Sequence, residues 1–231
     1  DPDVGFWIWS TTENTGLTVI EKGVSVDGIG IWNSAGTNRS LISSESDCSY
    51  SNIVMNSGTS DGIYAVDARS TNVVFRNIWI FDAGNRGVVV SQPGHSLYNI
   101  TVTNCGNHGI YIDSATTVDV TNCACSGNAG DDILVNSTTN SGGNNATSDL
   151  TGDITGLDNT SAGVDFVSPA TGDYNPAPGG KLDGVGTDLS GTFTDDITGE
   201  TRTQWDIGAY GIISAAPTFA DTNAFTITIA S

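Results

Sequence analysis

Residues 99–112 read NITVTNCGNHGIYI, and this pattern occurs four times between Asn52 and Val135. Each copy opens with an asparagine and an alternating apolar pair. A glycine, or an aspartate in the last copy, follows ten residues later and precedes a second alternating pair. The opening residues of the four copies are Asn52, Asn77, Asn99 and Asn122. The period is therefore roughly 22 to 25 residues, and an internal repeat of this length predicts a solenoid in which each copy forms one turn.

Apolar residues alternate with polar ones inside each copy, which is the periodicity of a strand with one buried face. A third apolar patch precedes the asparagine in some copies, at residues 73–75 and 118–120. Three short strands per turn, joined by corners of Gly, Asn, Asp and Ser, predict an all-β parallel β-helix. The positions that we place inside are Ile53, Met55, Ile63, Ala65, Ile78, Ile80, Val88, Val90, Ile100, Val102, Ile110, Ile112, Cys123, Cys125, Ile133 and Val135.

The opening asparagines are expected to form a column, because stacked strands lie about 4.8 Å apart. We predict that this column is an inward asparagine ladder. Each amide would bond to the next one and to the buried backbone groups of the corner.

The stretch 99–112 and the register of residues 49–136 resemble the pectin-lyase-like superfamily of right-handed parallel β-helix proteins. The resemblance implies a right-handed coil. That superfamily includes polysaccharide lyases and hydrolases, phage tailspikes, adhesins and non-catalytic surface proteins. The fold therefore does not select a function.

A second resemblance covers residues 165–211, which look like the C-terminal module of many bacterial and phage β-helix proteins. It rests on DFVSPATGDY at 165–174, KLDG at 181–184, TGETR at 198–202 and DIGAY at 206–210. The chain departs from that module at 176–180, where Ser-Pro is usual, and at Gly211, where Glu is usual. The resemblance implies a module that closes the helix and is not catalytic. From the residues themselves, we expect Arg202 to pair with Asp206, and Ile207 and Ala209 to point inward.

These patterns divide the chain into three parts. Residues 1–48 fit the repeat badly, and we interpret them as an N-terminal cap with an irregular first turn. Residues 49–213 form the β-helix, with the closing module at 165–211. Residues 214–231 form a tail that contains an alternating strand, and this strand pairs either along the helix or with a neighbouring subunit.

Charge and cysteine content narrow the function classes. The chain has 26 acidic and 7 basic residues and a net charge of −19, which disfavours nucleic acid and anionic membranes as partners. No apolar run approaches the ~20 residues of a membrane span. The chain does not begin with Met, so we expect a processed protein or a fragment. Cys123 and Cys125 fall on inward positions and are read as buried small hydrophobes, and no disulfide framework is implied.

A column of mixed charge precedes the third strand of each turn and consists of Asp61, Arg86, His108 and Asp131. In an enzyme, His108 or Tyr111 would be the acid or base, and Arg86 would neutralise a uronate carboxylate. Asp131 and Asp132 are weak calcium candidates. The structural interpretation is a ladder whose charges alternate because like charges repel. The Arg-x-Lys and Asn-x-Asp motifs of the superfamily's lyases and glycosidases are missing.

Trp79 and Phe81 are predicted to face away from the core on one turn, with Val54 nearby. Such a patch is an interface, a sugar platform or ground covered by a terminal segment. We predict self-association through this face, as a parallel trimer by resemblance to phage spikes. The competing explanation is cover by residues 6–9 or by residues 225–229. The full set of binding candidates is Trp79, Phe81, Tyr64, Tyr111 and Asp113.

Together these features favour a non-catalytic β-helix protein of an extracellular, cell-surface or virion setting. Its role would be that of a spike, fibre, decoration or adhesive module; no cofactor is expected, and calcium is a weak candidate. Expected partners are further copies of the chain, other surface or virion proteins, and glycans. The alternative is a secreted polysaccharide lyase or glycoside hydrolase that acts on an acidic glycan.

Overall fold

The chain is an all-β parallel β-solenoid of about five turns, which confirms the predicted fold class. The computed structural model describes residues 7–10, 16–33, 39–58, 61–65, 70–113, 117–136, 140–149, 159–162, 165–212 and 227–229.

Twenty strands and one short 3-10 turn, Pro169–Thr171, make up the regular structure of these residues. The strands are β1 (Trp7–Ser10), β2 (Leu17–Val19), β3 (Val24–Asp27), β4 (Gly30–Asn33), β5 (Leu41–Ser43), β6 (Ser49–Asn56), β7 (Ile63–Ala65), β8 (Val74–Phe81), β9 (Val88–Val90), β10 (Ser96–Thr103), β11 (Ile110–Ile112), β12 (Val118–Thr121), β13 (Ala124–Ser126), β14 (Ile133–Val135), β15 (Asn140–Gly143), β16 (Asn145–Thr147), β17 (Asn159–Ala162), β18 (Phe166–Ser168), β19 (Asp173–Pro176) and β20 (Ile227–Ile229).

Each turn of the coil adds strands to two parallel sheets. The first sheet has the order β1-β4-β6-β8-β10-β13-β16-β17, and the second has the order β14-β11-β9-β7-β5-β2. In the first sheet Ile53 pairs with Ile78, and Ile78 pairs with Ile100. In the second sheet Ile63 pairs with Val88. The paired residues are one repeat apart, so the sequence period sets the register.

The opening asparagines sit at a corner that requires a left-handed backbone. The φ angles of Asn52, Asn77, Asn99 and Asn122 lie between 51° and 58°. Among L-residues, asparagine tolerates this region well because its short amide can bond locally. The corner bends the long strands β6, β8 and β10 in two, and this bend divides each turn into three short segments.

The regular coil begins before residue 49. Leu17 pairs with Leu41, Leu41 with Ile63, and Gly30 with Val54, and the partners are again one repeat apart. The corner residue of this earlier turn is Gly28, with φ 68°. Glycine adopts the same backbone without an amide, so the asparagine signal is missing there and residues 1–48 look irregular in sequence.

Glycine precedes the third strand of a turn because successive turns approach closely there. A Cβ on Gly62 would lie 2.6 Å from the carbonyl oxygen of Gly87. A Cβ on Gly87 would lie 2.8 Å from that of Gly109. The glycine of the repeat is therefore a packing requirement.

The coil interior is apolar, and 30 buried residues of the described ranges form one continuous cluster. All four cysteines are buried and unpaired, as expected for Cys123 and Cys125. Burial raises the pKa of Cys105 and of Cys123 to about 12. These thiols therefore behave as small apolar side chains at neutral pH.

Residues 165–212, here called the flank segment, lie along the outside of the first sheet. Phe166, Tyr174, Leu182, Ile197, Ile207 and Ala209 form a second apolar cluster with the outward residues Val54, Trp79, Ala124 and Ala146. The tail strand β20 pairs antiparallel with β3. Nowhere in the described ranges does a helix have the length and apolarity to cross a membrane.

Candidate functional site

The opening asparagines bond to one another in two pairs. Asn77 Nδ2 donates to Asn52 Oδ1 at 3.1 Å, and Asn122 Nδ2 donates to Asn99 Oδ1 at 3.3 Å. The register places all four on successive turns. Asn144 continues the column with φ 54°, and its Nδ2 donates to Thr187 Oγ1 at 3.0 Å. Its position one repeat after Asn122 was a signal that sequence reasoning missed.

Apart from one hydrogen of Asn52, which goes to Asp27 in the coil, the remaining amide hydrogens go to the flank segment. Asn77 Nδ2 donates to the carbonyl of Asp195 at 3.0 Å. Asn99 Nδ2 donates to the carbonyls of Asp206 and Gly208, both at 2.9 Å. The expected inward orientation is therefore corrected. These amides face the segment that covers the corner, because the left-handed bend turns their side chains away from the apolar interior.

Arg202 bridges the step between the two asparagine pairs. Its Nη2 donates to Asn77 Oδ1 at 3.2 Å and to the carbonyl of Gly208 at 3.2 Å. The Gly208 carbonyl also receives the amide of Asn99. The guanidinium thus ties two turns of the coil to the flank segment through one shared acceptor.

The guanidinium of Arg202 is held mainly by backbone carbonyls. It donates to Asp195 O at 3.1 Å, to Ala209 O at 2.8 Å and to Tyr210 O at 3.4 Å. Burial lowers the pKa of Arg202 to about 10, and the carboxylates of Asp196, Asp206 and Asp195 offset part of that effect. Arg202 is therefore charged at neutral pH.

We expected Asp206 to bond directly to Arg202, but it does not. Its carboxylate accepts the backbone N–H groups of Gly184 at 2.7 Å and Ile212 at 2.6 Å. The Asp206 carboxylate therefore closes two backbone turns, while the Arg202 guanidinium binds the backbone carbonyls nearby. Ile207 and Ala209 are buried as expected, but against the outer face of the coil.

The Trp79 face is covered by the flank segment. Trp79 is 7% exposed, and its ring centroid lies 4.6 Å from Phe81 and 5.2 Å from Tyr174. Its indole Nε1 donates to Thr103 Oγ1 at 3.3 Å. The flank segment supplies this cover, whereas the side chains of residues 6, 7, 9 and 225–229, the two expected covers, lie outside the described part of the chain. The exposed aromatic patch that motivated self-association is thus absent from the described surface, and Trp79 is not open for sugar stacking.

The charged column forms side by side, as its spacing predicts, on the second sheet. Asp61 is buried, and its Oδ1 accepts Arg86 Nε at 3.1 Å and Asn85 Nδ2 at 2.9 Å. Arg39 Nε lies 3.9 Å from the other oxygen. One buried carboxylate thus organises two arginines of a chain that has few basic residues.

The upper half of the column is an aromatic stack. The Tyr111 ring centroid lies 5.6 Å from that of His108 and 5.0 Å from Arg86 Cζ. His108 Nδ1 lies 3.0 Å from the backbone N–H of Asp131, which donates to it. The carboxylate of Asp131 lies 3.4 Å from the same nitrogen.

Two further binding candidates lie near this stack. Asp113 is half-buried, and its backbone N–H donates to Val90 O at 2.7 Å. The Tyr64 side chain falls outside the described part of the chain. The structure brings Arg86, His108 and Tyr111 together on the second sheet, whereas Trp79 and Phe81 belong to the first sheet.

One of the two weak calcium candidates, Asp132, is occupied by protein donors. Asp132 is buried and accepts Asn128 Nδ2 at 2.6 Å, Ser148 N at 2.6 Å and Asp149 N at 3.1 Å. Burial, together with the negative charges of Asp132 and Asp131, raises the pKa of Asp149. Among the described residues, no group of three or more His, Cys, Asp or Glu side chains is arranged to hold a metal ion.

Comparison with known proteins adds no family to this picture. No protein-family model matches the chain, and no curated protein sequence matches it either.

Proposed function

We propose that the chain is a non-catalytic β-helix module of an extracellular or virion-surface protein, with a structural or adhesive role. One observation carries this proposal. The flank segment covers the outward aromatic face and bonds to the corner asparagines of successive turns. The face that would most readily bind a ligand is thus used for the module's own packing. We also propose membership of the right-handed pectin-lyase-like superfamily, with the flank segment related to its C-terminal module.

The charged column supports the same proposal. A general acid or base must be free to reach a proton of the substrate. Arg86 Nε is bonded to Asp61, and His108 Nδ1 already holds the Asp131 N–H. The contacts of Arg86 and of His108 are therefore explained by their role in stabilising neighbouring turns of the coil. The net charge of −19 also disfavours anionic polymers as ligands and favours neutral or cationic surfaces.

The test is an activity and binding screen on neutral and acidic polysaccharides. We expect no increase in reducing ends or unsaturated products on alginate, pectate or bacterial capsule. A module of adhesive function is expected to bind a neutral or cationic surface, and its affinity for a cationic surface should fall as salt rises. Turnover that disappears in His108→Ala or Arg86→Ala, with the circular dichroism spectrum unchanged, would replace this proposal by an enzymatic one.

The second candidate is a secreted enzyme on an acidic glycan, and one feature favours it. Arg86, His108 and Tyr111 lie side by side, and the Arg86 side chain is 24% exposed. In that case, Arg86 would bind the uronate and His108 Nε2 would carry the proton. Tyr111→Phe is the matched variant, since it removes the hydroxyl and keeps the stack. An enzyme would lose activity in His108→Ala and retain it in Tyr111→Phe if His108 alone moves the proton.

A further inference from the structure

His95 occupies an inward position of the coil, where its neighbours in the same column are apolar. The register aligns it with Val73 on the preceding turn and Val118 on the following turn, and aligns Val73 with Cys48. The His95 side chain is 1% exposed. The chain has only two histidines, and one of them replaces a small apolar side chain inside the coil.

The imidazole of His95 is incompletely bonded. Its Nδ1 accepts the N–H of Val73 at 3.3 Å, which requires an unprotonated Nδ1. Its Nε2 is buried and has no hydrogen-bond partner among the described residues. The ring packs 6.3 Å from Phe75, which stacks on Tyr50 at 5.1 Å. The site thus accommodates a neutral ring, with Nε2 beyond hydrogen-bonding distance of every described partner.

No described carboxylate faces His95 to balance a positive charge. The preceding turn presents Val73 and Phe75, and the following turn presents Val118. The nearest acid in sequence register, Asp119, accepts the Tyr98 hydroxyl at 3.0 Å and is not buried. Tyr50 is the titratable group in the aromatic stack, and burial raises its pKa. Tyr50 is therefore neutral throughout the acidic range.

We propose that His95 stabilises the coil in its neutral form only, and that its protonation in acid opens the contact between strands β8 and β10. Protonation places a charge in an apolar interior and removes the acceptor for the Val73 N–H. A buried charge without a partner is strongly destabilising. The backbone link from Asp119 N to His95 O, 2.9 Å long, would transmit the opening to the following turn.

The direction of the pH effect follows from the burial of the ring. Burial lowers the pKa of His95 from 6.5 to about 4, and backbone groups of Val73 and Ser70 offset part of this. The unfolded chain takes up the proton first as the pH falls. The contribution of the neutral His95 ring to the free energy of unfolding is therefore complete above about pH 6.5 and is lost progressively down to about pH 4. Over that window the unfolding equilibrium constant rises by about tenfold for each pH unit, relative to a chain without this imidazole.

The test compares the wild-type chain with His95→Val, which restores the apolar residue of the column, and with His108→Ala as the matched control. Urea unfolding is measured at half-unit steps from pH 7.5 to pH 4. Hydrogen exchange is followed in peptides that cover residues 70–76 and 93–99, with residues 182–190 as the internal reference.

We expect wild type and His108→Ala to lose stability in parallel, and His95→Val to lose less below pH 6.5. Exchange at 70–76 and 93–99 should accelerate before that at 182–190 in the two chains that keep His95. If His95→Val does not fold, His95→Gln removes the titration and keeps a polar group. An unchanged difference between wild type and the His95 variant across the whole pH range would overturn the proposal, as would uniform acceleration of exchange in all three regions.

Discussion

The coil and the flank segment provide hydrogen-bond partners for their backbone N–H and C=O groups in two different ways. In the coil, each strand bonds to the next turn in one repeated register. In the flank segment from residue 177 onward, the regular pairing is limited to one bridge, Asp195 with Thr201. There, the carboxylates of Asp196 and Asp206 accept backbone N–H groups instead.

This difference predicts where substitutions are costly. A coil position has equivalents on neighbouring turns, so the loss of one side chain leaves the register intact. A flank position has no equivalent, and each carboxylate or guanidinium closes a contact that nothing else supplies. The residues at the boundary, where both regions depend on one side chain, should therefore be the most sensitive.

Trp79→Ala is expected to have the largest effect, because Trp79 belongs to the coil and fills the cluster under the flank segment. We expect a loss of about 3 to 5 kcal/mol in the free energy of unfolding, as for other buried aromatic truncations. Urea unfolding measures it. The control is Ile20→Ala, at a residue that is 66% exposed. A loss near zero for Trp79→Ala would mean that the flank segment does not pack on the coil in solution.

Arg202→Leu is expected to be next, because it removes the cation that links the asparagine corner to the flank carbonyls. Leaving buried partners unpaired should cost about 3 kcal/mol. Arg202→Lys keeps the charge and loses the planar fork, so it should recover only part of the loss. Faster hydrogen exchange at residues 182–211 than in β8 and β10 would locate the effect in the flank segment. Equal acceleration in both regions would contradict the expectation that the flank segment is affected more than the coil.

Asp206→Asn isolates one carboxylate cap of the flank segment. The amide keeps one acceptor for Gly184 N or Ile212 N and loses the other, at a cost of about 1 to 2 kcal/mol. Asp188→Asn is the matched control on an exposed turn of the same segment. A thermal denaturation series compares the two. An equal shift for both variants would show that the capping bonds of Asp206 are not special.

The sequence predicted the coil because its information is repeated. The spacing of the copies, the inward apolar pairs and the column of asparagines each occur several times, so their register is readable. The order of Asp61, Arg86, His108 and Asp131 along the second sheet followed from the same register. Gly28 was missed because a glycine meets the corner's backbone requirement without showing the amide.

The flank segment was singled out by resemblance, but its position was not predictable. Its contacts join residues that are far apart, such as Asn52 with Asp195, 143 positions away, and none of them recurs. The bonding within the charged column was also hidden. Sequence does not say that Asp61 is buried under Arg86, or that His108 Nδ1 accepts a backbone N–H. Those choices depend on side-chain packing that carries no periodic signal.

Gly28→Asn is the smallest and most discriminating change. Gly28 occupies the corner column with φ 68°, and a Cβ there meets nothing within 4 Å. Five asparagines already adopt this backbone in the same column, so the substitution restricts the unfolded chain without steric conflict. We expect a gain of about 0.5 kcal/mol in the free energy of unfolding. Gly28→Val, a β-branched residue with the same backbone, should instead lose about 1 to 2 kcal/mol.

The size of the gain tests whether the asparagines act through the corner or through the ladder. Both hydrogens of Asn52 Nδ2 are already donated, to Asp27 Oδ1 at 2.9 Å and to Asp195 Oδ2 at 3.0 Å. An amide at position 28 therefore finds no free donor on Asn52, and the gain should stay at the backbone value. A gain several times larger in urea unfolding would mean that the new amide displaces Asp27 and extends the ladder. A loss would mean that this corner requires glycine for a reason other than its φ angle, since the Cβ has room.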